Sequence, residues 1–190
     1  MKTVLFIPGF PESIHSRDYE RTMRSIEKRG YKVKFVPITW ARKTIDDWVT
    51  ELEAEYEKYD PSQTILAGFS FGATTAFTAA TKRPPYELWL FSLSCYFAED
   101  LVSKAQKKSW LKMIGHRRVK SFSNLNFGNM AKKITCQTLL FYGQTELDKW
   151  PIMSERAEGA RNLIKGNVYI PITGVGHDVA DPLYIQAIEE

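Results

Sequence analysis

The chain has 190 residues, of which 44% are hydrophobic and 25% charged, with a formal net charge of +4. That length supports one domain with a sizeable core, and the balance is that of a globular chain rather than a disordered or fibrous one. No apolar run approaches the roughly 18 residues that cross a bilayer, so stable membrane insertion is not expected. Cys95 and Cys136 give neither a disulfide framework nor zinc-ligand spacing, which fits a reducing, cytoplasmic setting.

Apolar runs alternate with amphipathic stretches along the chain. The start, MKTVLFIPGF, is broken by Pro8 and Gly9 too early for a signal peptide, and residues 3–7 read as a strand. Residues 17–29 carry Tyr19, Met23 and Ile26 at helical spacing, with Gly30 as a stop. A strand over 31–36 and a helix over 44–59 follow, the helix bearing Ile45, Trp48, Val49, Leu52 and Tyr56 on one face. Next come a strand over 64–67 and a helix over 71–82. Further strands are expected over 87–93, 138–142 and 168–172, and further helices over 152–164 and 183–189.

Six strands alternating with helices imply an α/β fold, a three-layer sandwich with a mostly parallel six-stranded sheet. Residues 1–190 form a single domain in this reading. Residues 97–131 are its irregular part, with a helix through Leu101, Val102, Ala105 and Ser109. Between Asp100 and Glu146 there is no acid, while nine lysines and arginines run from Lys104 to Lys133. This reads as a basic, cap-like insertion over one edge of the sheet.

Residues 64–76, TILAGFSFGATTA, place Ser70 between two glycines, behind an aliphatic run and ahead of a helix. G-x-S-x-G alone is weak evidence. A strand before it and a helix after it give the setting of a nucleophile elbow, where the serine stands on a strained tip. A serine hydroxyl needs a base to take its proton. Of three histidines, His116 lies in the basic block and His15 in the loop after the first strand. His177, in TGVGHD after the last strand, sits at the carboxyl end of the sheet, where sites form in parallel α/β proteins. The acid that would orient it is Glu146 or Asp148, both just past the strand TLLFY, with Glu99 and Asp100 as distant third choices.

Ser70 in GFSFG, an acid after YGQTE, His177 in GVGHD and the opening VLFIPGF together resemble the α/β-hydrolase superfamily over nearly the whole chain. The resemblance implies an α/β-hydrolase type fold with a reduced cap and an enzyme, a serine hydrolase cleaving a carboxylic ester or thioester through an acyl-enzyme. It makes Ser70 the nucleophile, His177 the base and Glu146 the preferred acid. It also gives the backbone N–H groups of Phe10 and Phe71 to an oxyanion hole that meets the substrate. The alternative is a non-catalytic binding or regulatory protein that retains the fold. The chain begins at what corresponds to the third strand of the full family sheet, so it resembles a minimal member. Pro8 stands where the family has histidine, and the segment after the fourth strand is too short for a full multi-helix lid. A small, partly open site is implied, for short or polar acyl substrates.

The remaining features are weaker. Phe69, Phe91, Phe97, Trp89 and Trp110 could line an acyl pocket but read mainly as core, and Cys95, beyond a strand's carboxyl end, could face the cleft but reads first as a small buried hydrophobe. His15 with Glu12 and Asp18 matches no ligand pattern, so no metal is expected. No phosphate loop or dinucleotide fingerprint is present, so no cofactor is expected either. The basic block reads first as a solvated surface and second as an attractor of an anionic substrate or membrane surface to the site mouth. It lacks a nucleic-acid module, so nucleic acid is not an expected partner and a small-molecule acyl substrate is.

Overall fold

A computed structural model describes residues 1–101 and 104–190. Its strands are β1 (Thr3–Ile7), β2 (Lys32–Phe35), β3 (Thr64–Phe69), β4 (Glu87–Phe91), β5 (Gln137–Gly143) and β6 (Asn167–Ile172). They form one sheet in the order β2-β1-β3-β4-β5-β6, and every pair is parallel. The sheet is therefore wholly rather than mostly parallel. Each strand-to-strand connection carries at least one helix, which leaves room for a crossover but not for a hairpin.

Side chains alternate across the strands and meet helices on both faces. Helices α1 (Tyr19–Lys28) and α9 (Pro182–Glu189) lay Tyr19, Ile26, Tyr184 and Ile188 against Phe6, Ile65 and Phe91. On the other face α2 (Ile45–Tyr56) and α3 (Phe71–Ala80) pack Trp48, Leu52 and Phe77 over Leu5, Leu66 and Leu90. Burial on both sides explains why β3 reads as an unbroken apolar run instead of an alternating one.

The stretch expected to be irregular apart from one helix is largely helical over its described residues. A short 3-10 turn at Ala98–Asp100 leads to α4 (Lys104–Ile114), α5 (His116–Phe122) and α6 (Phe127–Ala131). Leu101 lies outside α4, and Val102 lies outside the described residues. Gly115, at φ 81°, separates α4 from α5, and the Asn126 side chain caps α6 by accepting the Asn129 N–H at 2.8 Å. Trp110, Ile114, Val119 and Phe122 are buried at helical spacing. The lysines and arginines between them obscure that spacing in the sequence.

The strand order reverses at β1, which has β2 on one side and β3 on the other. In open parallel sheets the crevice beyond the carboxyl ends of such strands is where ligands bind. The loops leaving β1 and β3, which carry Phe10 and Ser70, meet there.

Candidate active site

Ser70 forms the single-residue turn between β3 and α3, at φ 55° and ψ −118°. That conformation is sparsely populated by residues with a Cβ and is sustained only by its surroundings. The Ser70 N–H donates to Phe91 O at 2.9 Å and its carbonyl accepts the Thr74 N–H at 3.2 Å, fixing both sides of the turn. Gly68 and Gly72 make the approach of strand and helix possible. A Cβ on Gly68 would lie 2.7 Å from Ala73 N, and one on Gly72 would lie 2.9 Å from the Ile7 carbonyl carbon.

His177 lies in the loop between β6 and α9, with Nδ1 2.5 Å from Glu146 Oε2. The segment after β5 is the short helix α7 (Gln144–Lys149). At its third residue the Glu146 carboxylate turns back, accepting the Gly143 N–H at 3.1 Å and the Ser92 hydroxyl at 2.5 Å. It is 1% exposed. The Thr145 N–H donates to Val175 O at 2.9 Å, tying α7 to the histidine loop. The Phe69 ring packs on the imidazole with centroids 4.7 Å apart.

The other acids have different partners. Asp148 is exposed and accepts from Gln144 Nε2 at 2.8 Å, since two residues along a helix it points away from Glu146. Glu99 accepts the Phe127 and Gly128 N–H groups, both at 3.0 Å, at the start of α6. Asp100 is buried and pairs with Arg156. His15 and His116 are exposed, and no group of three potential metal ligands occurs among the described residues.

Ser70 and His177 line one cavity of about 500 Å³, without a hydrogen bond between them. Phe10 and Phe71 share its wall, with ring centroids 5.4 Å apart. The far wall comes from α4, chiefly Trp110, and from Trp150 and Met153. The Phe71 N–H, at the first helical position, has no intrahelical acceptor.

Ser92 and Arg17 are contributors that the sequence did not nominate. Ser92, at φ 50° directly after β4, holds Glu146, and its Oγ lies 3.3 Å from the Tyr184 hydroxyl. Burial, with the Glu146 charge adding to it, pushes the Tyr184 phenol well above its usual range. Trp110 and Cys95 face the cavity as well as the core. Arg17 bridges Glu12 at 2.7 Å and Asp178 at 2.5 Å, while Tyr19 donates to Glu12 and accepts the Gly9 N–H at 2.9 Å. A polar residue closing a strand beside the serine strand is the one signal that could have marked Ser92.

No family model and no curated protein sequence matches the chain. Solved structures do. Est1E from Butyrivibrio proteoclasticus, with ferulic acid bound, is 14% identical over 100% of this chain and 87% of its own, at a TM-score of 0.78. Mouse alpha/beta hydrolase domain-containing protein 10 is 14% identical over 98% of this chain and 86% of its own, at 0.79. A bromoperoxidase from Bacillus anthracis is 15% identical over 99% and 89%, at 0.70. One fold can serve several activities, so the likeness speaks to architecture. On architecture they agree, and the chain has the α/β-hydrolase fold.

Proposed function

We propose that the protein is a serine hydrolase that cleaves a carboxylic ester or thioester through an acyl-enzyme on Ser70. The observation that carries this is the 2.5 Å contact between His177 Nδ1 and the buried Glu146 carboxylate. With Nδ1–H committed to that carboxylate, Nε2 holds the lone pair that faces substrate chemistry. Ser70 Oγ attacks the acyl carbon and its proton passes to His177 Nε2. The tetrahedral oxyanion is met by the N–H groups of Phe71 and Phe10. Collapse breaks the bond to the leaving alcohol or thiol, which takes the proton from His177. Water then repeats the sequence on the acyl-enzyme and releases the acid. Glu146 steadies the imidazolium in both halves, Asp148 has no part in them, and residues 97–131 act as the cap.

One observation favours the second reading, a binding protein without chemistry: Ser70 and His177 are not hydrogen-bonded to each other. Such contacts often tighten only when substrate is present. Intact-mass analysis after exposure to a fluorophosphonate separates the two. The hydrolase reading predicts a single adduct on Ser70 that is lost in His177→Ala. An unmodified folded wild type supports the binder.

A further inference from the structure

We propose that the cavity beside Ser70 takes a neutral, apolar acyl group, preferably an aromatic one, and excludes acyl groups that carry a negative charge. This rests on the hydrolase reading and replaces the expectation of a polar or anionic substrate. The volume of about 500 Å³ suits a small organic group rather than a long lipid chain.

Among the described residues, the walls supply stacking surface and no lysine or arginine as a counter-ion. Tyr96 and Trp110 have ring centroids 4.2 Å apart, and Phe71 meets Tyr96 edge-on at 4.8 Å. Phe10 continues the surface to the serine. Met113 and Met153 complete it with flexible thioethers that adapt to an acyl group's shape. Among the described residues, no lysine, arginine, aspartate or glutamate lines the cavity. The polar Ser94 hydroxyl is engaged with Thr74 at 2.6 Å. Burial pushes the Cys95 thiol up to about 12 and raises the Tyr96 phenol, so both face the cavity uncharged at neutral pH.

Among the described residues, the cations of the basic block lie outside this wall. On α4 the cavity-facing positions are 106, 109, 110, 113 and 114, one helical stripe, whereas Lys107, Lys108 and Lys112 are exposed between them. Arg118 donates to the carbonyls of Trp40 at 2.7 Å and Lys43 at 2.9 Å, and its guanidinium lies over the Phe10 ring. A carboxylate entering the cavity would lose its hydration and find no partner cation.

The test compares p-nitrophenyl esters of butyrate, 3-phenylpropionate and hemisuccinate, the last having butyrate's chain length and one negative charge. The expected kcat/KM is about tenfold above butyrate for phenylpropionate and about tenfold below it for hemisuccinate. Met113 is 63% exposed at the cavity edge, so Met113→Lys adds a cation there without disturbing the core. It should raise the hemisuccinate-to-butyrate ratio several-fold. Equal rates for the charged and neutral esters overturn the inference, as does a ratio unmoved by Met113→Lys. Calorimetry of 3-phenylpropionamide and succinamate with Ser70→Ala makes the comparison without turnover. Preference for the neutral amide supports the inference, and equal affinities overturn it. An inactive wild type that prefers the neutral amide overturns only the hydrolase reading.

Discussion

Arg17 and Asp178 lie 161 residues apart in the chain and 2.5 Å apart in space. The same guanidinium holds Glu12 in the loop after β1 and lies over the Phe69 ring, 5.0 Å from its centroid. It thereby fastens the loop carrying Phe10 to the loop carrying His177. Arg17→Ala should lower kcat about tenfold, because small displacements of positioned groups are costly, with a smaller change in KM. Arg17→Lys should recover only part of the loss, since a point charge cannot span two carboxylates as the planar fork does. Steady-state kinetics on one neutral ester checks both.

The two acids after β5 should separate sharply. Glu146→Gln keeps the shape but removes the charge that supports the imidazolium, and kcat should fall by about 10³–10⁴. Asp148 is exposed and bound only to Gln144, so Asp148→Ala should stay within about twofold of wild type. Comparing kcat for the two variants checks the assignment.

Ser92→Ala removes the hydroxyl that donates to a buried carboxylate. An unsatisfied charged acceptor costs about 1–3 kcal/mol, so the midpoint of thermal unfolding should fall by several degrees. Calorimetric melting reads this directly.

The glycines around Ser70 admit no side chain. Gly72→Ala would drive a methyl group into the backbone at the end of β1. It should yield little folded protein, whereas Ser70→Ala should melt close to wild type. Circular dichroism of the two variants tests the contrast.

Cys95 provides a pH signature. Burial pushes its thiol from 9.0 up to about 12. The folded value is the raised one, so the native state keeps the proton longer. The stability this contributes is complete below pH 9.0 and is lost as pH rises through about 12. The difference in melting temperature between wild type and Cys95→Ala should therefore narrow as the medium becomes alkaline. At neutral pH, iodoacetamide should modify Cys95 far more slowly in the folded than in the unfolded chain.

Much of the architecture was legible because burial leaves a period in the sequence. Residues 3–7 coincide with β1, and the apolar stripe from Ile45 to Tyr56 coincides with α2. A helix through Ala105 and Ser109 was legible and falls in α4, but α5 and α6 were not, because the apolar stripe is interleaved with cations and interrupted at Gly115. Ser70, His177 and an acid at 146 or 148 could be nominated because each follows a strand at the carboxyl end of the sheet, and the resemblance favoured Glu146. Ser92 offered only its place at the end of a strand beside the serine strand, and Arg17 offered nothing. Their parts depend on contacts between distant segments, which no local pattern in one chain encodes.

The most direct test is rapid quenching of wild-type protein with a p-nitrophenyl ester, followed by mass spectrometry of the peptide that contains Ser70. A Ser70 nucleophile predicts an acyl increment on Ser70 that appears with the first equivalent of nitrophenol, and no such increment or turnover in Ser70→Ala. Turnover without acylation of that peptide, or undiminished activity in Ser70→Ala, would contradict it.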